Sequence, residues 1–337
     1  MISERRHAIL GLIIEHYLRT GEPIGSKTLC QLLPYSISSA TIRNEMAYLT
    51  QLGFLEQRHT SGGRVPSKAS YRYYVDNIMQ EKPISKYETD KINEALSVNS
   101  GDPERLLADA CKLLEEYSHC AAFCATLEDP YDCIQGVDLI PAGNQKAMLV
   151  MLTVGSKIKS SLINMPCALD EDFRKKFYEV SAKFLTGTPL TNVNLALIQS
   201  AVGVAGERIF DMLPALTSLC ALCNEASHSK LTLEGETNLL SHSELGSDLY
   251  KILGLLTEKK QLMELSKSFA NSNSKQLLLI GDENPIYEMK NTSTVIAKYN
   301  YEGGQKAVLG VIGSMRIDYE SICLLYTSPS PRDRSLS

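Results

Sequence analysis

Ser38-Ser-Ala-Thr-Ile-Arg-Asn-Glu-Met-Ala-Tyr-Leu-Thr-Gln-Leu-Gly53, followed closely by His59-Thr-Ser-Gly-Gly-Arg-Val-Pro66, decides how the first part of the chain is read. Ile42, Met46, Leu49 and Leu52 recur at three- and four-residue steps and form one apolar stripe, so the stretch is expected to be a helix. Ser38 or Ser39 caps its start and Gly53 stops it. Opposite the stripe lie Ala40, Asn44, Tyr48 and Gln51, with Thr41 and Arg43 near the N-terminal end. Amide side chains can pair bidentately with adenine, and Ala and Thr methyls fit the thymine methyl. A polar face is also what any surface helix has, so the helix alone does not establish a nucleic-acid reader.

The flanking sequence favours the reader. Upstream, Ile9, Ile13 and Tyr17 line a first helix that Gly21-Glu-Pro-Ile-Gly25 must end, and Ser26 is placed to cap a short helix over 27–33. Three helices with a tight break before the third make a helix-turn-helix layout, whose last helix enters the major groove. Downstream, Phe54-Leu-Glu-Gln-Arg58 alternates like a strand, and a glycine-rich turn carries Arg58, His59 and Arg64. Glycines allow close approach to a phosphate backbone that arginines neutralise. Residues 67–80 are expected to form a further helix with Tyr71, Tyr74, Val75 and Ile78 on one side.

At 337 residues the chain is long enough for two or three domains, and its 44% hydrophobic and 22% charged residues are those of an ordinary globular protein. The net charge of −5 divides unevenly. Residues 1–80 hold nine Lys/Arg against six Asp/Glu, a net of +3, and the remainder holds 25 against 33, a net of −8. The positive excess lies with the reading helix, and the acidic remainder opposes non-specific DNA binding. Nine cysteines, an odd number without framework spacing, and an N-terminus that lacks a signal peptide's apolar stretch point to reduced thiols in the cytoplasm. Cys220-Ala-Leu-Cys223 has half-zinc-site spacing, for which His119-Cys120 with Cys124 would be the other half. Their apolar neighbours make them core residues instead, so no metal or cofactor is expected. No apolar run reaches membrane-spanning length, and no motif of an enzyme stands out.

Further along, a helix over 103–117, a strand over 121–127 and three strand-like runs, 133–140, 146–154 and 158–164, precede helical stretches 170–185 and 193–213. Pro214 is expected to start another helix. Strands resume at 230–237, 276–280, 294–301 and 306–312 around one long helix over 246–266. The fold class is therefore α+β and multidomain, one α/β unit interrupted by a middle α+β unit. Tyr299-Asn-Tyr-Glu-Gly-Gly-Gln-Lys306 reads as a hairpin turn rather than a phosphate loop, and Gly281-Asp-Glu-Asn284 as a turn capped by Asp282 or Asn284.

Ala40-Thr-Ile-Arg-Asn44, His59-Thr-Ser61, Gly63-Arg64 and Tyr71-Arg-Tyr-Tyr-Val-Asp76 resemble the heat-inducible transcription repressors of the HrcA family. Gly281-Asp-Glu-Asn284, Tyr299, Gly310-Val-Ile-Gly313 and Arg316-Ile-Asp-Tyr319 match that family's late motifs in the same order, so the resemblance runs to about residue 322. It implies a winged helix-turn-helix DNA-binding domain at 1–82 and a linker helix and loop at 83–103. It further implies a GAF-like domain at 104–128 plus 229–323, carrying an inserted dimerisation domain at 129–228. The implied activity is a homodimer that binds an inverted-repeat operator, CIRCE, upstream of chaperone operons and represses heat-shock genes, kept competent by the GroE chaperonin. The DNA-binding residues would be Ser38, Ser39, Ala40, Thr41, Arg43, Asn44, Tyr48, Gln51, Arg58, His59, Ser61, Gly63 and Arg64. The alternative is a regulator that senses a ligand through the GAF-like domain. Gly62, Ser70 and Ser314-Met315 depart from the family pattern. The Ser/Pro/Arg-rich stretch 324–337 reads as a disordered tail foreign to the rest of the chain.

Overall fold

Apolar residues at helical spacing build the first three helices around a shared interior. Helix α1 (Glu4–Thr20) turns Ile9, Leu10, Ile13, Ile14 and Tyr17 inward. It ends at Gly21, whose φ of 73° lets its N–H cap the Tyr17 carbonyl. Helix α2 (Ser26–Leu32) starts one residue earlier than expected, because the extended residue at its N-cap is Gly25 and Ser26 is already helical. Helix α3 (Ser39–Gln51) buries Ile42, Met46 and Leu49. Leu52 does not join that stripe: it lies past the helix end and is 47% exposed. Strands β1 (Leu55–Glu56) and β2 (Val65–Pro66) pair antiparallel, and α4 (Lys68–Asn77), capped by Ser67, buries Tyr71 and Tyr74. The computed structural model describes residues 3–57, 63–79, 85–98, 102–143, 145–300 and 306–327, with side chains to 323.

Helix α5 (Lys86–Ser97) carries a Ser85/Glu88 capping box and buries no residue, the pattern of a connecting helix. Helix α6 (Pro103–Ser118), capped by Asp102, leads into β3 (Ala121–Thr126). A meander of β4 (Ile134–Pro141), β5 (Lys146–Thr153) and β6 (Ile158–Asn164) follows, with α7 (Glu171–Val180), α8 (Leu195–Ala205) and α9 (Ile209–Ser227) behind it. Its core joins Leu149 and Met151 to Phe173, Phe177, Met212, Leu216 and Leu219. The break between the last two helices falls at Gly206, which adopts φ 59°, and not at Pro214, which sits inside α9. Glycine takes that conformation freely, whereas Pro214 is carried within α9 despite the ladder bond it removes and its crowding of the carbonyl four residues back.

The chain then rejoins its first sheet. Strands β7 (Lys230–Glu234), β8 (Gln276–Ile280), β9 (Thr292–Asn300) and β10 (Lys306–Ser314) form with β3 an antiparallel sheet of order β7-β3-β10-β9-β8. Strand β3 pairs with both β7 and β10, so the residues between β3 and β7 are inserted within one sheet. The single helix expected over 246–266 is two, α10 (Asp248–Glu258) and α11 (Lys260–Ala270), broken where Lys259 takes φ 60°. These cover one sheet face, against Phe123, Ile296, Val308 and Ile312. The alternate residues Cys124, Val295, Leu309 and Val311 share a continuous core with α6, with α12 (Tyr319–Thr327) and with the N-terminal helices. Helix α12 runs through Thr327, so residues 324–327 are helical where disorder was expected. Residues 328–337 lie outside the described residues.

Candidate nucleic-acid interface

Helix α3 starts where Ser38 Oγ accepts the Thr41 N–H at 3.0 Å, with the Thr41 hydroxyl 2.8 Å from the same oxygen. Ser38 and Thr41 therefore close the helix start and Ser39 is its first residue, half-buried. Ala40, Arg43, Asn44, Tyr48 and Gln51 are all exposed, as expected of a reading face, and Thr41 is half-buried at its edge. Arg43 makes no ion pair among the described residues. Glu45, two positions on, does not pair with Arg43: it points inward and is only 5% exposed.

The partners of Glu45 are what sequence reasoning did not find. The two Glu45 carboxylate oxygens take hydrogen bonds from Arg5 and Arg6 of α1, the latter through Nε at 2.6 Å. The hydrogen bond from Arg6 holds the Glu45 carboxyl below the usual carboxylate range, and Glu45 in turn raises Arg6. The Arg6 guanidinium also lies 3.8 Å from the centroid of the Tyr48 ring. No local signal identifies these contacts, since the partners are about forty residues apart.

At the foot of the β1–β2 hairpin, Arg64 exchanges backbone hydrogen bonds with Ile24, N to O at 3.0 Å and O to N at 3.2 Å. A Cβ on Gly63 would come within 2.5 Å of the Ile24 carbonyl oxygen, so glycine is required there by packing against the turn before α2. Arg64 Nε is buried without a hydrogen-bond partner among the described residues, so this residue is less open than the phosphate contact expected of it. Arg58, His59 and Ser61 lie outside the described residues.

Helix α4 meets the second unit through charge. Lys68 Nζ lies 3.1 Å from both Asp282 oxygens and donates to the Lys290 carbonyl at 2.9 Å. Arg72 pairs with Glu283, Nε to Oε1 at 2.8 Å, and its Nη2 donates to the Leu278 carbonyl at 2.8 Å. Tyr74 donates to Glu320, and the Tyr71 and Tyr319 rings lie 6.1 Å apart. Gly281-Asp-Glu-Asn284 is the turn expected, with Asn284 donating to three carbonyls, but its two carboxylates serve α4. Nearby, Arg316 lies where a side chain on Gly21 would collide with it, and donates to Glu244 at 3.2 Å. Burial pushes the Glu244 carboxyl up, yet contacts with His242, Ser314 and Arg316 hold it well below the usual range.

The thiols of Cys120, Cys124 and Cys223 are pushed up to about 12 by burial, which suits core residues. Among the described residues no group of three His, Cys, Asp or Glu could hold a metal ion, and no helix is long and apolar enough to cross a membrane.

Residues 104–323 match the family model described as the HrcA protein C terminal domain. Over 326 residues the chain is 32% identical to the heat-inducible transcription repressor HrcA of Lachnoclostridium phytofermentans, covering 95% of this chain and 93% of that protein. The repressor of the same name from Acetivibrio thermocellus is 29% identical over 323 residues, 95% of this chain and 92% of its own. In fold, the chain is similar to the crystal structure of a hypothetical protein, with a TM-score of 0.73 at 21% identity over 97% of this chain and 95% of the other.

Proposed function

Because this chain belongs to the HrcA family, we propose that it is a heat-inducible transcription repressor whose α3 enters the major groove of a DNA operator. The observation that carries this reading is the exposed face of α3: Asn44 and Gln51 offer amides, Arg43 a cation with no ion pair among the described residues, and Ala40 a methyl. In this reading residues 1–82 are a winged helix-turn-helix, with Ser38 and Ser39 at the helix start and Arg58, His59, Ser61, Gly63 and Arg64 forming the wing. The operator is the inverted repeat CIRCE upstream of chaperone operons, and the GroE chaperonin keeps the repressor competent until heat diverts it. The unit over 104–128 plus 229–323 is GAF-like.

One short helix contacts too few base pairs for specificity, so the protein works as a homodimer on two half-sites. The inserted unit over 129–228 supplies the pairing surface. Ile140, Met148 and Leu162 stand in register across the three-stranded sheet and are 42–58% exposed, and Ile158 is 62% exposed. Contiguous exposed apolar side chains of that kind favour association. The reading involves no catalytic step and no cofactor, and it is set in the cytoplasm.

A ligand-sensing regulator draws less support. A cleft of about 510 Å³ is lined by Lys159, which pairs with both Glu104 and Glu225, and by Lys157, which pairs with Asp132. Ligand sites are instead mostly apolar with a few convergent polar groups. A gel-shift titration with a duplex carrying the CIRCE repeat and a scrambled control tests the repressor reading. Preference for the repeat is expected, and equal binding contradicts it. Recovery of repeat binding after mild heating, with and without GroE, tests the chaperonin step, and equal recovery would remove it.

A further inference from the structure

Tyr48 is exposed on the reading face one helical turn beyond Asn44, and an exposed tyrosine ring ordinarily samples several rotamers. Here a planar cation lies 3.8 Å from its centroid. That cation, Arg6, is itself not free, because its Nε is committed to a carboxylate that is 5% exposed and anchored a second time by Arg5. A buried carboxylate needs both oxygens satisfied, so the pair of arginines is costly to displace. The order is therefore from the interior outward: Glu45 fixes Arg6, and Arg6 fixes Tyr48.

We propose that Arg6, which lies outside the reading helix, is a positioning residue for operator recognition that holds the Tyr48 ring in one orientation beside Asn44. The proposal rests on the reading of α3 as the DNA-reading helix. A guanidinium stacked on an aromatic ring differs from an ammonium at the same place, since only the guanidinium is planar and forked. Arg6→Lys therefore keeps the charge and loses the platform.

The test is a double-mutant cycle on the full chain, titrating wild type, Arg6→Lys, Tyr48→Ala and the double variant with CIRCE and scrambled duplexes, beside thermal melts and Asn44→Ala. Arg6→Lys, titrated well below its melting temperature, is expected to lower the CIRCE-over-scrambled ratio about three- to tenfold, and to cost nothing further in the Tyr48→Ala background. The same loss in both backgrounds would mean that Arg6 does not act through Tyr48 and would overturn the proposal. So would a lowered melting temperature with an unchanged ratio, which marks a purely structural ion pair. If Asn44→Ala loses discrimination while Arg6→Lys does not, the proposal fails alone. A wild-type chain without preference removes the helix reading and this proposal together.

Discussion

Helices α3 and α4 belong to the same N-terminal unit and have opposite electrostatic fates. The cation of α3, Arg43, faces outward with no partner among the described residues, whereas Lys68 and Arg72 of α4 are matched to Asp282 and Glu283 in the second unit. A surface prepared for an absent polyanion leaves its charge and hydrogen-bond donors open. A surface that holds a molecule together closes them. Net charge over residues 1–80 mixes the two: Lys68 and Arg72 count toward its +3 although their acidic partners lie beyond residue 80, so the sum overstates the positive charge left open on this unit.

The largest expected effect tests the open side. Asn44→Ala should lower the CIRCE-over-scrambled ratio by roughly 5- to 150-fold, equivalent to about 1–3 kcal/mol, read in a competition titration. An unchanged ratio would mean that α3 is an ordinary surface helix. Arg43→Ala should weaken both duplexes and flatten the dependence of log affinity on log salt by about one. A loss confined to CIRCE would make Arg43 a base reader instead.

On the closed side, Arg72→Ala removes the bridge to Glu283 and the bond to the Leu278 carbonyl. Both charged side chains are about a third exposed, so the expected loss of stability is only about 1 kcal/mol, seen as a lower melting temperature, with duplex preference retained. Loss of preference without loss of stability would erase the distinction between the two helices. The smallest effect is in pH. Glu45 is held below its unfolded value by Arg6 and Arg5, so its stabilisation is complete above that value, about 4, and is lost as pH falls through the lower folded value. Wild type should therefore lose melting temperature more steeply than Glu45→Gln on acidification below about pH 4. Parallel curves would show that the Glu45 pair contributes nothing to that slope.

The elements legible in the sequence were those governed by neighbours. The α3 stripe, its Ser38 cap, the three-strand meander and the Gly281–Asn284 turn each follow from periodicity or from turn chemistry over a few residues. What escaped depends on residues far away or on a single backbone torsion. Lys68 and Asp282 are 214 positions apart, and nothing local distinguishes Glu45, which turns inward, from a solvated glutamate. Lys259 at φ 60° divides a continuous apolar pattern into α10 and α11, a conformation lysine takes rarely. Within the candidate site, the exposed polar face of α3 was readable, while the support behind it from Arg5, Arg6 and Glu45 became visible only with α1 in place.

The central claim is that the open face of α3 reads sequence. Its most direct test is the equilibrium affinity of the unmodified chain for a duplex with the intact CIRCE repeat against one with scrambled half-sites, at one fixed salt concentration. The account predicts a preference of at least about a thousandfold, the lower range for specific operator binding. Equal affinity for the two duplexes would contradict it.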